Sequence, residues 1–591
     1  MAHKYTLNIN NPGMILVSYR DSLLVINMSD FAIFNKKVIY AKKHEFEKEI
    51  DIYDYQILLR GQYLKRRNDT GGYDFFFGSA LYLGERVDKN RFETLSIEDI
   101  NLNDISGRYL IISISSHSIK ILNSMFGSFP CYIDKDNGIV ASNQSFIAKV
   151  KSGNINLNGI RERSIFFTNY NESLFENIKS LKPGSISVLN GSSLNSKSYL
   201  KDVIRTKSNI SSEEAIERIG SILENNTKAY FDKKSAFVSY TGGRDSRLLL
   251  CELIRSIPKD KIKAFTVGFN EDIEYFIGRR FTKRYDISHD LIKPSLLNEG
   301  LIDKYVKNFE NINFPCQYKN QVVDYLTKYD EPDVLNTAIP ETILCHMDYF
   351  LGGSHYAVNF VRNRKSIFTK DQIISGKSIV DEVELEVVNI WNELREELPS
   401  DVSANIFFEL TTFQRDWVFK ILRPFDIAGN TVCVMEDPKI MSILSSLEIN
   451  DFLNDRIYKK LVEKIYPELH VTPTTRDINF SILNKYKPME IIKLSPLIIR
   501  SLVYAGSLSK LLKMNHPFIA DYCKDNYKNL DVIFENQALN NLLSKQNNDV
   551  YSDNRVMKLY TKALTNKSLI NDYELIGPLC MIALLKNNKH E

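Results

Sequence analysis

The stretch that decides the fold is Ser235–Leu250, which reads SAFVSYTGGRDSRLLL. The apolar run Ala236–Tyr240 predicts a β-strand, and the apolar pattern after Arg247 predicts a helix. Between them lies Thr-Gly-Gly, where the backbone can turn sharply and approach a ligand without Cβ atoms in the way. A helix that opens directly after such a turn offers its N–H groups and partial positive charge to an anion. The stretch therefore predicts a strand–loop–helix unit that binds phosphate.

The side chains of the turn also suit a phosphate ligand. Thr241 and Ser246 supply hydroxyl donors, and Arg244 or Arg247 adds positive charge. Asp245 repels a phosphate unless a cation lies between them, so its natural role is to hold Mg²⁺. The alternative is an ordinary strand-to-helix turn in which Asp245 only caps the helix. The complete order of strand, hydroxyl, Gly-Gly, Asp-Ser and helix favours the phosphate site.

Strands and helices alternate around this unit. Asn209–Glu214 offers a serine N-cap and an acidic first turn for a helix that runs to about Tyr230. After the turn, a strand is predicted over Ala264–Phe269 and a helix over Ile273–Tyr285, and helical patterns dominate from about Asp381. This alternation indicates a parallel α/β sheet.

The first two hundred residues have a different texture, dominated by strands and turns. Tyr109–Ile114 and Ile119–Leu122 predict the two strands of a hairpin. The turn residues Asp134–Gly138 lead into a strand at Ile139–Ala141, and Leu181–Ser185 forms another turn. We place a domain boundary near residue 205 and a second one near residue 505.

The composition is that of an ordinary globular chain of 591 residues, with 43% hydrophobic and 25% charged residues. The net charge of +3 gives no support for nucleic acid or an anionic membrane as a partner. Seven scattered cysteines form no C-x-x-C pair, which argues against disulfides or zinc and favours a reducing cytoplasm. We see no signal peptide and no apolar run of about 18 residues, so no membrane span is expected.

The loop Thr241–Ser246 resembles the Ser-Gly-Gly-x-Asp-Ser pyrophosphate loop of the N-type ATP pyrophosphatases, which include asparagine, GMP, NAD and argininosuccinate synthetases. Phe265–Phe269, followed by Glu271–Glu274, resembles the strand that borders adenine and ribose in asparagine synthetase. These resemblances imply ATP as a cofactor. The implied binding residues are Tyr240, Thr241, Gly242, Gly243, Arg244, Asp245, Ser246, Val267, Gly268 and Phe269.

Four N-terminal landmarks resemble the glutaminase domain of asparagine synthetase, in the right order: Gly107–Tyr109, Phe126–Tyr132, Ala141–Ser142 and Ile178–Gly184. The resemblance is to the asparagine synthetase superfamily and covers roughly residues 1–470. It implies an α+β sandwich of the Ntn-hydrolase type over 1–205. An α/β ATP-pyrophosphatase domain, similar to the adenine nucleotide α hydrolases, follows over 206–505, and a helical C-terminal extension covers 506–591.

The chain departs from that family where glutamine is hydrolysed. The family needs a cysteine at position 2, whose free α-amine acts as the base, and this chain has Ala2. The first cysteine, Cys131, lies in a predicted core strand. The N-terminal domain is therefore expected to lack glutaminase activity, as in β-lactam synthetase and the cyclases of lasso peptides, which use an amine of the substrate.

A second departure concerns the family's Gly-x-Gly-Gly/Ala-Asp-Glu motif. The best counterpart is Val334–Thr342, in which only Glu341 is acidic, and Asp348 is an alternative. Asp245 and Glu341 are the predicted Mg²⁺ ligands. Glu341 as an ordinary surface residue is the other reading.

A third segment, Asn454–Leu469, resembles the family's helix with a catalytic lysine, in an ambiguous register. Arg456, Lys459 and Lys460 are the candidates for stabilising negative charge, with solvated helix cations as the alternative.

Three hypotheses follow. The first is an AMP-forming ligase that joins a small-molecule or peptide carboxylate to an amine other than glutamine-derived ammonia, either within one molecule or between two. The second is an amidotransferase of the asparagine synthetase type that takes ammonia from solution or from a partner. The third is a catalytically inactive binding or scaffold protein. No nucleic acid or membrane is expected as a partner, and a homo-oligomer is allowed.

Overall fold

A computed structural model describes residues 30–35, 47–151, 154, 156–166, 168–170, 173–206, 210–232, 234–241, 243–268, 273–293, 319–344, 353–363, 370–419, 422–467 and 469. The predicted extension 506–591 and the boundary near 505 lie outside these residues, as do Ala2, Gly242, Phe269 and Asp348.

Two antiparallel sheets occupy the N-terminal part of the chain. Their strands are β1 (Asp30–Asn35), β2 (Lys48–Ile52), β3 (Tyr55–Arg60), β4 (Leu64–Arg67), β5 (Tyr73–Tyr82), β6 (Glu85–Arg86), β7 (Ile105–Ile114), β8 (Ile119–Asn123), β9 (Tyr132–Asp134), β10 (Ile139–Ala141), β11 (Lys179–Ser180), β12 (Ser185–Asn190) and β13 (Ser193–Ser198). The first sheet has the order β11-β9-β10-β1-β3-β2, and the second has β13-β12-β8-β7-β5-β4, with β6 on β5. The predicted hairpin is confirmed, since Ile114 of β7 lies opposite Ile119 of β8.

The two sheets pack face to face, and successive side chains along each strand point to opposite faces. In β1, Phe31 and Ile33 belong to the core between the sheets, whereas Phe34 belongs to the core on the outer face. The Phe31 and Phe77 rings bridge the sheets, with centroids 4.8 Å apart. The outer face of the second sheet is also buried, because Phe76 packs in the same core as the α/β part of the chain. Burial on both faces explains why these strands read as continuous apolar runs.

A five-stranded parallel sheet follows, in the order β16-β15-β14-β17-β18. Its strands are β14 (Ala236–Ser239), β15 (Ile262–Val267), β16 (Ser288–Ile292), β17 (Asp333–Leu335) and β18 (Asn430–Val432). The chain thus combines two antiparallel sheets with one parallel sheet, as predicted. Strand β18 was missed, because its three residues lie within a long helical pattern.

The described helices pack around these sheets. They are α1 (Lys89–Thr94), α2 (Gln144–Lys151), α3 (Leu157–Phe166), α4 (Leu200–Val203), α5 (Ser212–Phe231), α6 (Arg244–Ser256), α7 (Ile273–Arg284), α8 (Lys319–Leu326), α9 (Pro340–Leu344), α10 (His355–Asn363), α11 (Gly376–Glu397), α12 (Asp401–Glu409), α13 (Arg423–Ala428), α14 (Pro438–Leu444), α15 (Ile449–Phe452) and α16 (Arg456–Ile465). A π-helix, Leu410–Val418, continues α12. The predicted N-cap of α5 is confirmed, since Ser211 accepts a hydrogen bond from the Glu214 N–H.

Buried charges join the sandwich to the α/β part. Asp426 on α13 accepts two hydrogen bonds from Arg108 on β7, at 2.9 and 2.7 Å, and one from Arg423 at 3.0 Å. Arg423 also donates to Asp30 at the start of β1 (2.6 Å). Burial alone would raise the pKa of Asp30, but Arg60 and Arg423 outweigh it and hold that pKa below its usual value. The two parts therefore share one ionic network.

Glu436 lies beside this network, in the segment that follows β18. Its carboxylate accepts hydrogen bonds from the Phe126 N–H (2.8 Å) and from Ser128, both in the loop between β8 and β9. Its backbone carbonyl accepts from the Gly107 N–H at 2.7 Å. Burial raises the pKa of Glu436 to about 7, against the opposing effect of these hydrogen bonds and of Arg108.

We expect Glu436 to make stability fall as pH rises. Because its pKa in the folded state exceeds the unfolded value, its stabilising contribution is complete below about pH 4.5 and is lost as the pH rises through about 7. The change amounts to about 3 kcal/mol. His289 acts in the opposite direction, since burial lowers its pKa to about 4. The measurement is therefore the difference in denaturant midpoint between wild type and Glu436→Gln from pH 5 to 8, and a constant difference would contradict the assignment.

Candidate functional site

The predicted phosphate loop lies at the centre of the parallel sheet. It follows β14, which pairs with β15 on one side and with β17 on the other. The chain first leaves β14 towards β15 and later crosses to β17, so the strand order reverses at β14. In open parallel sheets, ligands bind at the carboxyl ends of strands where the order reverses. The loop therefore occupies the position that such sheets use for binding.

Hydroxyl groups organise the loop itself. The buried Ser246 Oγ accepts a hydrogen bond from the Thr241 N–H at 3.4 Å, and Thr241 Oγ1 accepts one from the Gly243 N–H at 3.4 Å. Gly243 has φ −70°, which any residue adopts, so the expected sharp bend does not explain this glycine. A Cβ there would lie 3.3 Å from Thr241 Oγ1. A larger residue at this position would therefore need a small shift of the Thr241 side chain.

Helix α6 begins at Arg244, three residues earlier than predicted, so Asp245 and Ser246 lie in its first turn. Arg244 Nη1 lies 2.7 Å from Asp455 Oδ2, and its guanidinium is 5.7 Å from the centroid of the Tyr458 ring. Asp455 directly precedes α16 and has φ 57°. Arg244 therefore fastens the loop to the start of α16.

The side chains of two residues proposed for the loop belong to the core instead. Tyr240 is fully buried, with its ring centroid 6.0 Å from that of Phe281. Arg247 is 1% exposed, lies over the same Phe281 ring and donates to the Leu469 carbonyl at 3.3 Å. Tyr240 thus contributes only its backbone to the loop. The side chain of Arg244 thus faces Asp455 and Tyr458, whereas that of Arg247 is buried against Phe281.

The acidic segment follows the neighbouring strand. After β17, Asn336 Oδ1 accepts a hydrogen bond from the Ala338 N–H at 2.9 Å, which turns the chain into α9. Glu341 is the second residue of that helix. Val238 of β14 lies opposite Leu335 of β17 in a parallel pair. The segment that carries Glu341 and the phosphate loop therefore both follow strands that end at the same edge of the sheet. Helix α9 also packs against α6 and α16.

Further contacts hold this edge of the sheet. Thr342, next to Glu341, accepts a hydrogen bond from Gln414 Nε2 at 2.7 Å, which fixes α9 to the π-helix. Val267 ends β15, and the N–H of Gly268 donates to the Ile292 carbonyl at 3.0 Å. The segment expected to border adenine and ribose therefore begins beside the phosphate loop.

The basic helix α16 reaches the loop through Asp455. Lys459 Nζ donates to the Asn454 carbonyl at 2.5 Å, and Lys460 Nζ pairs with Glu213 of α5 at 2.7 Å. Lys459 thus bonds next to Asp455, whereas Lys460 bonds to α5. A catalytic role for Arg456, Lys459 or Lys460 stays a prediction.

In the described ranges, no group of three His, Cys, Asp or Glu residues is placed to hold a metal ion. The predicted Mg²⁺ ligands are two carboxylates, Asp245 and Glu341, and Mg²⁺ in phosphate sites takes most of its oxygens from phosphate and water. None of the described helices has both the length and the apolar character needed to cross a membrane.

Sequence reasoning missed Asp455 and Asn336 as parts of the site. Asp455 is 211 residues from its partner Arg244, and no local pattern marks such a pair. Asn336 had one local signal, an asparagine two residues before a small residue at the end of an apolar strand, which suits an Asx turn.

No protein-family model and no curated protein matches the chain. Among solved structures it is similar to an allosteric regulatory enzyme of purine biosynthesis, at 9% identity and a TM-score of 0.20, over 45% of this chain and 75% of that one. It is also similar to an NH3-dependent NAD synthetase from Campylobacter jejuni, at 12% identity and a TM-score of 0.19, over 32% of this chain and 99% of that one. A third similar structure is the glutamine phosphoribosylpyrophosphate amidotransferase of B. subtilis, complexed with ADP and GMP. The identity is 12% and the TM-score 0.19, over 58% of this chain and 75% of that one. TM-scores this low carry no argument about activity, and the fold class rests on the strand orders given above.

Proposed function

We propose that the protein is an ATP-dependent carbon–nitrogen ligase of the AMP-forming kind, similar to asparagine synthetase. The observation that carries this is the position of Thr241–Ser246, directly after the central strand β14 of a parallel sheet and at the start of the 13-residue helix α6. Such a helix start binds anions through its N–H groups and its dipole. The hydroxyls of Thr241 and Ser246 turn towards each other in the loop, which suits a pyrophosphate group.

In the proposed reaction, a carboxylate oxygen bonds to the α-phosphorus of ATP and pyrophosphate leaves. An amine nitrogen then attacks the acyl carbon, AMP leaves, and the nitrogen loses a proton. The loop N–H and hydroxyl groups hold the phosphates, while Asp245 and Glu341 would hold Mg²⁺, which would neutralise phosphate charge. Catalysis is chiefly positioning and charge neutralisation.

The amine of this proposal does not come from glutamine. Cys131, the one cysteine in the described part of the sandwich, is 2% exposed, and burial raises the pKa of its thiol far above the ordinary value. It is therefore an unreactive core residue. At the start of β1, the Asp30 carboxylate is held by Arg60, Arg423 and Ser142. Ala2 and the buried Cys131 support an amine carried by the substrate itself, as in a cyclase of peptide or natural-product biosynthesis, or by a second substrate.

The test is pyrophosphate release by the purified full chain with MgATP and a panel of carboxylates, with and without ammonium and simple amines. We expect at least one carboxylate to release pyrophosphate and AMP. Glutamine is expected to yield no glutamate. Release that depends on ammonium alone would favour the amidotransferase alternative, and binding of ATP without any turnover would favour the inactive homologue.

A further inference from the structure

A polar cavity of about 550 Å³ lies apart from the phosphate loop, between the sandwich, helix α11 and the π-helix. Its walls include Asn169 and Tyr170 from the N-terminal part, Glu393 from α11, and Thr411 and Arg415 from the π-helix. None of residues 240–246 lines it. An inference about this cavity is therefore independent of the proposed function.

The wall formed by the π-helix is unusual. Nine residues, Leu410–Val418, adopt this conformation, whereas most π-helical segments are single turns and occur often at functional sites. Thr411, Thr412 and Arg415 of the π-helix line the cavity. Thr411 and Thr412 return their hydroxyl hydrogens to the carbonyls of Phe407 and Phe408 and leave their oxygen lone pairs for other donors.

The half-buried Arg415 differs from the buried arginines around it. Arg108 and Arg423 pair with Asp426, and Arg163 pairs with Asp416 at 2.9 Å. Across the described ranges, no carboxylate or carbonyl accepts a hydrogen bond from Arg415, and burial holds its pKa below the usual value.

The neighbouring Asp416 is already engaged. It accepts from Arg163, from Thr168 Oγ1 at 2.6 Å and from the Asn169 N–H at 3.2 Å. Arg415 lies on the wall of the cavity, where the charge of Asp416 acts on it without a hydrogen bond between them. The guanidinium therefore keeps hydrogen-bond donors for an anion within the cavity. Such an arrangement is expected where a ligand supplies the anion.

The other charges of the cavity limit the choice of anion. Three glutamates of α11, Glu386, Glu393 and Glu397, line the same cavity, and Glu393 pairs with Lys182 at 2.7 Å. Arg163, Lys179 and Lys182 also line the cavity, and Arg163 pairs with Asp416 as Lys182 does with Glu393. The positive and negative charges of the lining therefore nearly balance, which favours a zwitterion over a phosphate dianion or a nucleotide. The same carboxylates favour a positive group at the other end of the ligand.

We propose that this cavity binds a free amino acid, with its carboxylate on the Arg415 guanidinium and its ammonium group towards the glutamates of α11. A guanidinium matches a carboxylate through two parallel hydrogen bonds, which a lysine cannot reproduce. The volume of about 550 Å³ is ample for one amino acid with bridging water.

The experiment is ligand-observed NMR on the full chain, with a mixture of the protein amino acids as one probe and acetate and inorganic phosphate as two others. We expect at least one amino acid to bind, and neither its methyl ester nor its N-acetyl form to compete. Arg415→Gln should weaken binding at least about tenfold, the difference that one charged hydrogen-bond pair makes. The control Arg395→Gln, at an arginine that is 41% exposed and pairs with Asp401, should bind as wild type does.

Arg415→Gln should keep a melting temperature close to that of wild type, because the half-buried Arg415 donates no hydrogen bond to a described carboxylate or carbonyl. If Arg415→Gln does not fold, amino acid binding is measured with Arg415→Lys. This variant keeps the charge but loses the pair of parallel hydrogen bonds, so its binding should also be weaker than that of wild type. Absence of amino acid binding to wild type, binding of phosphate alone, or equal binding by the Arg415 variants would overturn the proposal.

Discussion

Replacing Asp245 by asparagine is expected to lower the rate of pyrophosphate release by at least about a hundredfold to a thousandfold, the range seen when one group that stabilises transition-state charge is removed. The substitution keeps the shape of the side chain and removes the charge that would hold Mg²⁺ in the proposed site. Asp245 lies in the first turn of α6, where either residue is tolerated, so the melting temperature should stay the same.

The measurement combines turnover with Mg²⁺-dependent binding of a fluorescent ATP analogue, so that it also works before the carboxylate is identified. The matched control is Asp260→Asn, an exposed aspartate of the same α/β part. A near-normal rate or an unchanged Mg²⁺ dependence in Asp245→Asn would show that the phosphate-loop assignment is wrong.

Asp426→Ala should produce the largest loss of stability. Asp426 is the common acceptor for Arg108, Arg423 and Thr431, and its side chain is 3% exposed. Without it, two buried guanidinium groups lose a carboxylate partner, and breaking a buried pair from one side lowers stability by about 3–5 kcal/mol.

The readout is the denaturant midpoint at pH 7, with m-values compared to detect a change in the unfolding mechanism. Glu384→Ala is the matched control, because Glu384 also accepts two hydrogen bonds from one arginine, Arg362, but at the surface (2.6 Å each). It should shift the midpoint little, since exposed pairs contribute weakly. Equal shifts in the two variants would contradict a structural role for the network.

Local patterns were enough to place the main elements. The apolar run before Thr241 and the helix after it identified a strand, a loop and a helix, and parallel pairing then set this loop beside the segment of Glu341. Both signals come from residues close together in sequence. The ends of α6 and β15 differed by two or three residues from those expected, since caps and pairing partners decide them.

Side-chain roles within the loop were not predictable from sequence. Arg244 and Arg247 flank the same helix start, yet one faces Asp455 and the other is buried against Phe281. Which arginine faces which partner depends on the segments near residues 455 and 469. These segments are distant in sequence but contact the arginines of α6 in the fold. Likewise, the apolar pattern around Tyr240 gave no sign that α7 would bury its ring.

The shared ionic network also bears on how this architecture can be divided. Each part carries charges whose counter-charges belong to the other: Arg108 and Asp30 on the sandwich, Arg423 and Asp426 on α13. Cutting the chain near residue 205 would leave both pieces with unmatched ions on an apolar surface. The sandwich is thus a scaffold for the α/β part. Replacing the sandwich by that of a related protein would require all four charged side chains to be matched together.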